Sequence, residues 1–417
     1  MSHFRIRCRK CGKALEEIYC AFCEHCPNSL LVTEYRDRLF RESGAPGIWR
    51  FNWLPVHEPA FKMPGPVIYR SQGLARALGL DDLHVAYTGY TPEIGALTET
   101  CTFKEFEAAV VMENARENGV EGLVVASAGN TARSFAYLSA KACYPVIIVV
   151  PFMCWKEMWY HTDSAGVLTL VVKDGDYSDA IDLAGRVARV SGMPFEGGVK
   201  NVAKRDGLGV VLLEAVSAMG RLPAHYFQAV GSGAGAIASW EMAERFLADG
   251  RFGNSLPQLH LAQNLPFAPM YWAWKHHRRE LAAKDLDSRL IEMISTRVLS
   301  SRYPAYSVQG GVYDALEACG GDFYGITNEE AREAAELFEE TEGLDIVPAA
   351  AVAVASLVKA AGSLPKTDPV LLNITGGGEK LIKRERKARK VKGELVSKEI
   401  SNPELEELFC QTLKRYS

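Results

Sequence analysis

From residue 122 onward the chain alternates short, continuous apolar runs with longer amphipathic stretches. GLVVASAGN reads as a buried strand ending in a turn, TARSFAYLSAKA as a helix, and PVIIVVP as the next buried strand. GVLTLVV, YSDAIDLAGRVARV, GVVLLEAVSAM, HYFQAVGSG, AIASWEMAERFLA and LHLAQNLP continue the pattern. Continuous apolar strands joined by helices predict parallel sheets covered on both faces. Further on, TNEEAREAAELFEE opens with a capping box, Thr327 with Glu330, and the Ala-rich AAAVAVASLVKAA leads to a last strand, PVLLNITGGG. The basic run EKLIKRERKARKVKGE that follows reads as a solvated helix or arm, and no internal repeat stands out.

In such sheets ligands bind beyond the carboxyl ends of strands, so the loops there are the candidates for chemistry. The loop Ser127 to Thr131, SAGNT, places Asn130 at a helix start, where its side chain either caps the helix or donates to a ligand oxygen. The loop Gly231, Ser232, Gly233, Ala234, Gly235 lies between a strand and a helix. Small residues let backbone N–H groups approach an anion there, and the helix dipole favours one. The loop lacks the lysine of a Walker A sequence and is no dinucleotide fingerprint. A third loop, NITGGG, offers the neutral hydroxyl of Thr375. Upstream, TETCTFKEFEA sets Lys104 at what reads as the first turn of a helix, where the dipole disfavours an ammonium. Lys104 either points into water or is an amine nucleophile of the kind that forms Schiff bases. Together, Lys104 for an aldehyde, Asn130 for a ring oxygen, the 231–235 loop for a phosphate and Thr375 for a ring nitrogen are the grips that pyridoxal 5'-phosphate requires.

Composition narrows the field without deciding it. The 417 residues, 48% hydrophobic and 24% charged, exceed what one core holds, so two or more packing units are expected. A net charge of -4 gives no global reason to expect nucleic acid or an acidic membrane as partner. The absence of a long apolar run or a signal-like start makes a cytoplasmic location the expectation. Five of the ten cysteines fall within residues 8 to 26, in CRKCGKALEEIYCAFCEHC. Cys8 with Cys11 and Cys23 with Cys26 form two C-x2-C knuckles, the spacing of a closed, structural zinc site. Cys20 also makes a C-x2-C with Cys23, so the ligand choice stays open, as does a reduced, metal-free turn.

The motifs TFKEFEA, SAGNTARSFA and AVGSGAGAIA resemble those of the fold-type II, tryptophan-synthase-β-like pyridoxal-phosphate enzymes, and within them the threonine synthase group. That group also carries a cysteine-rich ribbon at its start. Longer stretches, among them WLPVHEP, EGGVKNVAKRDGLG, LAQNLPFAPMYWAW and AYSVQGGVYDAL, resemble the cysteate synthase family over nearly the whole chain. Glu105, Phe106 and Glu107 follow the lysine where threonine synthases have an acidic residue, Arg and Gly, which argues against threonine synthase itself. The segment MCWKEMWYHTDSAG is divergent within the set.

The resemblance implies an α/β fold of two doubly wound, parallel-type sheets behind a small zinc-ribbon-like segment. The expected units are residues 1–33 for the ribbon, 34–110 with 206–417 for a larger cofactor-binding domain, and 111–205 for a smaller α/β domain. It implies pyridoxal 5'-phosphate as cofactor, Zn2+ as a possible structural ion, phosphoserine and sulfite as substrates, and a homo-oligomer. The expected reaction is β-replacement of phosphate on O-phospho-L-serine by sulfite, with Lys104 as general base. For the anionic substrates the candidates are Thr100, Thr102 and Ser127 through their hydroxyls and Arg133 and Arg205 through their charge, with Lys200 and Lys204 nearby. Threonine synthase activity, or another replacement on a phospho-amino acid, is the rival within enzymes. A zinc-ribbon protein binding nucleic acid through the basic run is the rival from another class.

Overall fold

A computed structural model describes residues 2–15, 20–127, 129–162 and 166–416, with side chains through residue 409. Ala128 of the SAGNT loop, residues 16–19 between the cysteine knuckles, and residues 163–165 of the divergent segment therefore lie outside the described residues.

Two parallel sheets organise the chain. The larger has the strand order Asp322–Ile326, Gln258–Asn264, His225–Ala229, Val370–Ile374, Leu83–Tyr87, Val67–Arg70, parallel except for the antiparallel edge strand Val67–Arg70. The smaller joins Glu394–Val396, Val167–Val172, Val146–Pro151 and Leu123–Ala126, all parallel. Every residue of the runs VLLNI, HYFQA and LVVA is buried, which is why these strands read as continuous apolar segments and not as alternating ones. The predicted α/β fold is thus present. The N-terminal segment forms its own antiparallel sheet, Phe4–Cys8 between Ala14–Leu15 and Leu31–Tyr35.

The topology creates one position suited to a ligand. From the strand His225–Ala229 the chain winds outward through Gln258–Asn264 to Asp322–Ile326, then returns to Val370–Ile374 on the other side. Strand order therefore reverses between His225–Ala229 and Val370–Ile374, and a crevice opens beyond their carboxyl ends. The GSGAG and NITGGG loops leave those two strands.

Two helices, Lys104–Glu117 and Val202–Met219, are buried over most of their circumference. They cross at backbone contact, because a Cβ on Gly207 would lie 2.7 Å from the Phe106 carbonyl oxygen. Only glycine permits that approach, and it carries Lys204 to the start of the lysine helix. The capping box of Thr327 and Glu330 forms as predicted.

The basic run opens as a helix with its lysines and arginines mostly exposed, the first of its two expected forms, but it is not a free arm. Glu379–Glu385 is a short helix with Ile382 fully buried, and Arg389–Lys390 pairs with Trp159–Tyr160. Residues 394–396, assigned from sequence to the larger unit, form the edge strand of the smaller sheet, with Val391 and Val396 buried. The apolar residues spaced among the lysines and arginines supply the driving force for this return.

Candidate active site

The lysine is presented by a strained turn. Cys101 adopts φ 56°, in the left-handed region that non-glycine residues avoid, and a Cβ on Gly376 would lie 2.4 Å from the Cys101 carbonyl oxygen. The Phe103 N–H donates to the Thr375 carbonyl at 3.0 Å, which fixes the start of the lysine helix against the end of the strand Val370–Ile374. Lys104 and Thr375, far apart in sequence, thus meet at the crevice.

The Lys104 ammonium is not solitary. Its Nζ donates to Glu107 Oε2 at 3.0 Å, and the opposite oxygen of Glu107 lies 3.2 Å from Lys204 Nζ and accepts from the Thr131 hydroxyl at 2.7 Å. Lys204 also pairs with Glu196 at 3.1 Å. Burial lowers the pKa of Lys104; Glu107 opposes this and Lys204 adds to it. Burial would raise the Glu107 carboxyl, but Lys104 and Lys204 hold it below the ordinary range. Burial raises Glu196 against the pull of Lys204. Glu105 is raised to about 7 by burial, offset by hydrogen bonds from the Thr100 N–H and hydroxyl.

Asn130 opens the helix Asn130–Ala142, yet it does not cap it. The Ser127 hydroxyl does so, accepting from the Gly129 and Ala132 N–H groups at 3.0 and 2.9 Å. The Asn130 Oδ1 accepts from Arg133 at 3.2 Å, which leaves the amide NH2 as the donor for a ligand oxygen. The 231–235 loop meets the helix Ala234–Asp249 with Gly233 at φ 87°. A Cβ on Gly233 would fall 2.3 Å from Val312, and one on Gly235 2.2 Å from Gln228. At this helix start the first N–H groups have no intrahelical acceptor, the Ala234 N–H donating only to the Ser232 hydroxyl at 3.5 Å, which is the donor set an anion needs. An aldehyde-reactive buried amine, an amide donor, a glycine-built anion cradle and a neutral hydroxyl fit pyridoxal 5'-phosphate.

Among the substrate candidates the structure separates near from far. Thr102 stays at the helix start, its hydroxyl accepting from the Lys104 N–H at 3.4 Å. Thr100 is committed elsewhere: its N–H and hydroxyl go to Glu105 and its carbonyl to Arg133 Nε, so a grip on the substrate carboxylate would have to break these bonds. Arg133 pairs with Glu379 at 2.9 Å, lies 4.2 Å from the Trp159 ring centroid, and lines a cavity of about 200 Å³ beside Asn130 that Arg297 and Lys383 also border. Arg205 is not at the site. It is fully buried, donating to Glu241 and to the carbonyls of Val199 and Leu31, and thereby ties the ribbon to the large sheet's helices. Adjacent residues on a helix point about 100° apart, so Lys204 faces the site while Arg205 faces away.

Glu107, Glu105 and Glu196 were not among the candidate residues. The i,i+3 spacing of Lys104 and Glu107 was the available signal for the first; Glu196 comes from a distant loop and had none.

At the ribbon, the sulfurs of Cys8, Cys11, Cys23 and Cys26 all lie within 4.8 Å of one another, with Cys11 and Cys23 at 3.9 Å. A tetrahedral Zn2+ with Zn–S of about 2.3 Å needs sulfurs about 3.8 Å apart, so this set fits the ion. Purified protein is expected to carry one zinc per chain by elemental analysis, and Cys23→Ser to lose it; stoichiometric zinc retained in that variant would dismiss the four-sulfur set.

A sheet whose switch point carries a lysine, a glycine-built anion loop and a strand-end hydroxyl defines a fold-type II pyridoxal-phosphate enzyme. The chain belongs to the pyridoxal-phosphate-dependent enzyme family, whose model matches residues 68–376. It is 46% identical to the cysteate synthase of Methanosarcina acetivorans, over 98% of this chain and 100% of that one. It is 48% identical to the cysteate synthase of Methanocella arvoryzae, over 92% of this chain and 94% of that one. Among solved structures maize serine racemase shares the fold, with a TM-score of 0.57 at 13% identity over 77% of this chain and 93% of that one. No helix among the described residues is long and apolar enough to cross a membrane.

Proposed function

We propose that the chain converts O-phospho-L-serine and sulfite to L-cysteate and phosphate. The observation that carries this is near full-length likeness to cysteate synthases, joined to a site that fits the cofactor. Neither the threonine synthase reading nor the nucleic-acid reading is favoured by it. We also propose a homo-oligomer in the cytoplasm.

In this reading Lys104 holds the aldehyde, Asn130 the ring oxygen, the 231–235 loop the phosphate and Thr375 the ring nitrogen. Once bound, pyridoxal phosphate supplies an electron sink for the pair left when the substrate Cα loses its proton. Lys104 Nζ is the general base for that proton, because its buried amine is neutral at a lower pH than an exposed lysine. The neutral hydroxyl of Thr375 cannot protonate a ring nitrogen strongly, which favours loss of the β-substituent over transamination. Leaving phosphate and entering sulfite are both anions; Arg133, Arg297 and Lys383 border the adjoining cavity, each paired there with Glu379 or Glu157, and an anion would have to displace those carboxylates to use them. Val298 and Leu299 lie against the loop at Gly231, where a Cβ would be 3.1 Å from the Leu299 Cα.

Product analysis decides the assignment. Incubation with phosphoserine and sulfite is expected to release cysteate and phosphate in equal amounts, whereas O-phosphohomoserine and water give no threonine. Threonine formation without cysteate would replace this reading.

A further inference from the structure

We propose that Glu107 is the positioning residue for Lys104, and that Lys204 is its standing counter-ion, keeping Glu107 a carboxylate whether or not Lys104 is engaged. The inference rests on the pyridoxal-phosphate reading above and concerns residues that none of the cofactor grips includes.

Glu107 is completely buried and touches two ammonium groups from two helices. One cation would suffice to neutralise it. The second has a reason in the chemistry: when Lys104 attaches to an aldehyde it stops being a dedicated partner, and a buried carboxylate left alone would take up a proton. A protonated Glu107 would be a weaker acceptor and would offer no charge to hold the ammonium when Lys104 is released. Lys204 prevents that. Lys204 is itself secured by Glu196 on its other side, and the Thr131 hydroxyl fixes the Oε1 edge of Glu107, leaving Oε2 for Lys104. The close helix crossing at Gly207 holds the two lysine-bearing backbones at fixed separation.

Released from the aldehyde, the Lys104 amine is therefore caught 3.0 Å from a permanent anion. When Nζ takes the substrate proton, the C–H electron pair stays with the substrate carbon and the new ammonium forms against Glu107. The groups facing Glu107 are Lys104 on its own helix, Lys204 on Val202–Met219, Thr131 on Asn130–Ala142, Glu196 behind Lys204, and the Tyr177 phenol near Lys204, which burial pushes up to about 12.

The two partners of Lys104 act on it with opposite sign, and this gives the test. Apoprotein is mixed with pyridoxal 5'-phosphate across pH 6 to 10, and the rate at which the bound absorbance appears is recorded, with turnover not required. Loading needs a neutral amine. Glu107→Gln removes an anion that favours the ammonium, so the midpoint moves to lower pH. Lys204→Met removes a cation that disfavours it, so the midpoint moves to higher pH. Each shift is expected to be about one unit or more, about tenfold in rate at a fixed pH on the acid limb. Thr131→Val, which loosens Glu107 without changing a charge, is expected to move the midpoint by less than either. Lys204→Gln has the same expected sign and serves if the methionine variant does not fold. Shifts in the same direction, or none, overturn the proposal. Borohydride reduction of loaded wild-type protein, followed by peptide mapping, checks the underlying reading separately: an adduct absent from Lys104 defeats that reading whatever the profiles show.

Discussion

Lys104→Ala is expected to abolish the visible absorbance of bound pyridoxal phosphate and to lower turnover by roughly a thousandfold or more, while the protein stays folded. The size follows from two losses, the covalent anchor and the general base, the second alone being worth about 10² to 10⁴. The stability expectation follows from Glu107, which keeps Lys204 and the Thr131 hydroxyl when Lys104 is gone, so no buried charge is orphaned. Absorbance spectra and a thermal melt of the same sample check both halves. Absorbance at the wild-type level would place the carbonyl on another amine, Lys204 being the one that shares Glu107. A collapsed melt would instead mean that Lys104 is part of the charge cluster's structural foundation.

Much of the fold was legible because parallel strands buried on both faces leave continuous apolar runs, and PVIIVVP, HYFQAV and PVLLNI are such runs. The positions proposed as cofactor grips were legible as strand ends and helix starts, where local sequence dictates backbone geometry. What escaped reading depends on facing and on long-range partners. The charges of the basic run are exposed as read, but its return to the smaller sheet was not legible, because Ile382, Val391 and Val396, which carry it back, are few and widely spaced. Asn130 had two open roles, and only the position of Ser127, three residues earlier, showed that capping was already provided. In KNVAKRDG three cations share a short stretch, and nothing in the sequence says which one faces the lysine. That choice was fixed by Gly207, whose missing Cβ sets how closely the two helices cross.

Arg205 carries the second large effect, and its direction separates a structural cation from a substrate-binding one. Arg205→Met is expected to destabilise the protein by about 3–5 kcal/mol, the range for removing one partner of a buried ion pair. Glu241 would retain only Arg9, whose guanidinium nitrogen is 3.7 Å away, and the carbonyls of Leu31 and Val199 would each lose a buried donor. The neighbouring Asp206 limits the damage: it accepts from Thr33, Tyr35 and Arg245 at 2.6 to 2.8 Å, a second tie between the same helix and the ribbon strand Leu31–Tyr35. Loss of order is therefore expected first at the ribbon, as faster proteolysis near residue 31 and weaker zinc retention, before the sheets unfold. The KM for phosphoserine should stay within about twofold of wild type below the melting temperature, because no atom of Arg205 reaches the crevice. A KM raised tenfold or more with an unchanged melt would return Arg205 to the substrate, and would require the helix Val202–Met219 to turn by about 100° so that Arg205 took the place of Lys204. Such a turn would bury Lys204 against the ribbon and leave Glu107 and Glu196 without their shared cation.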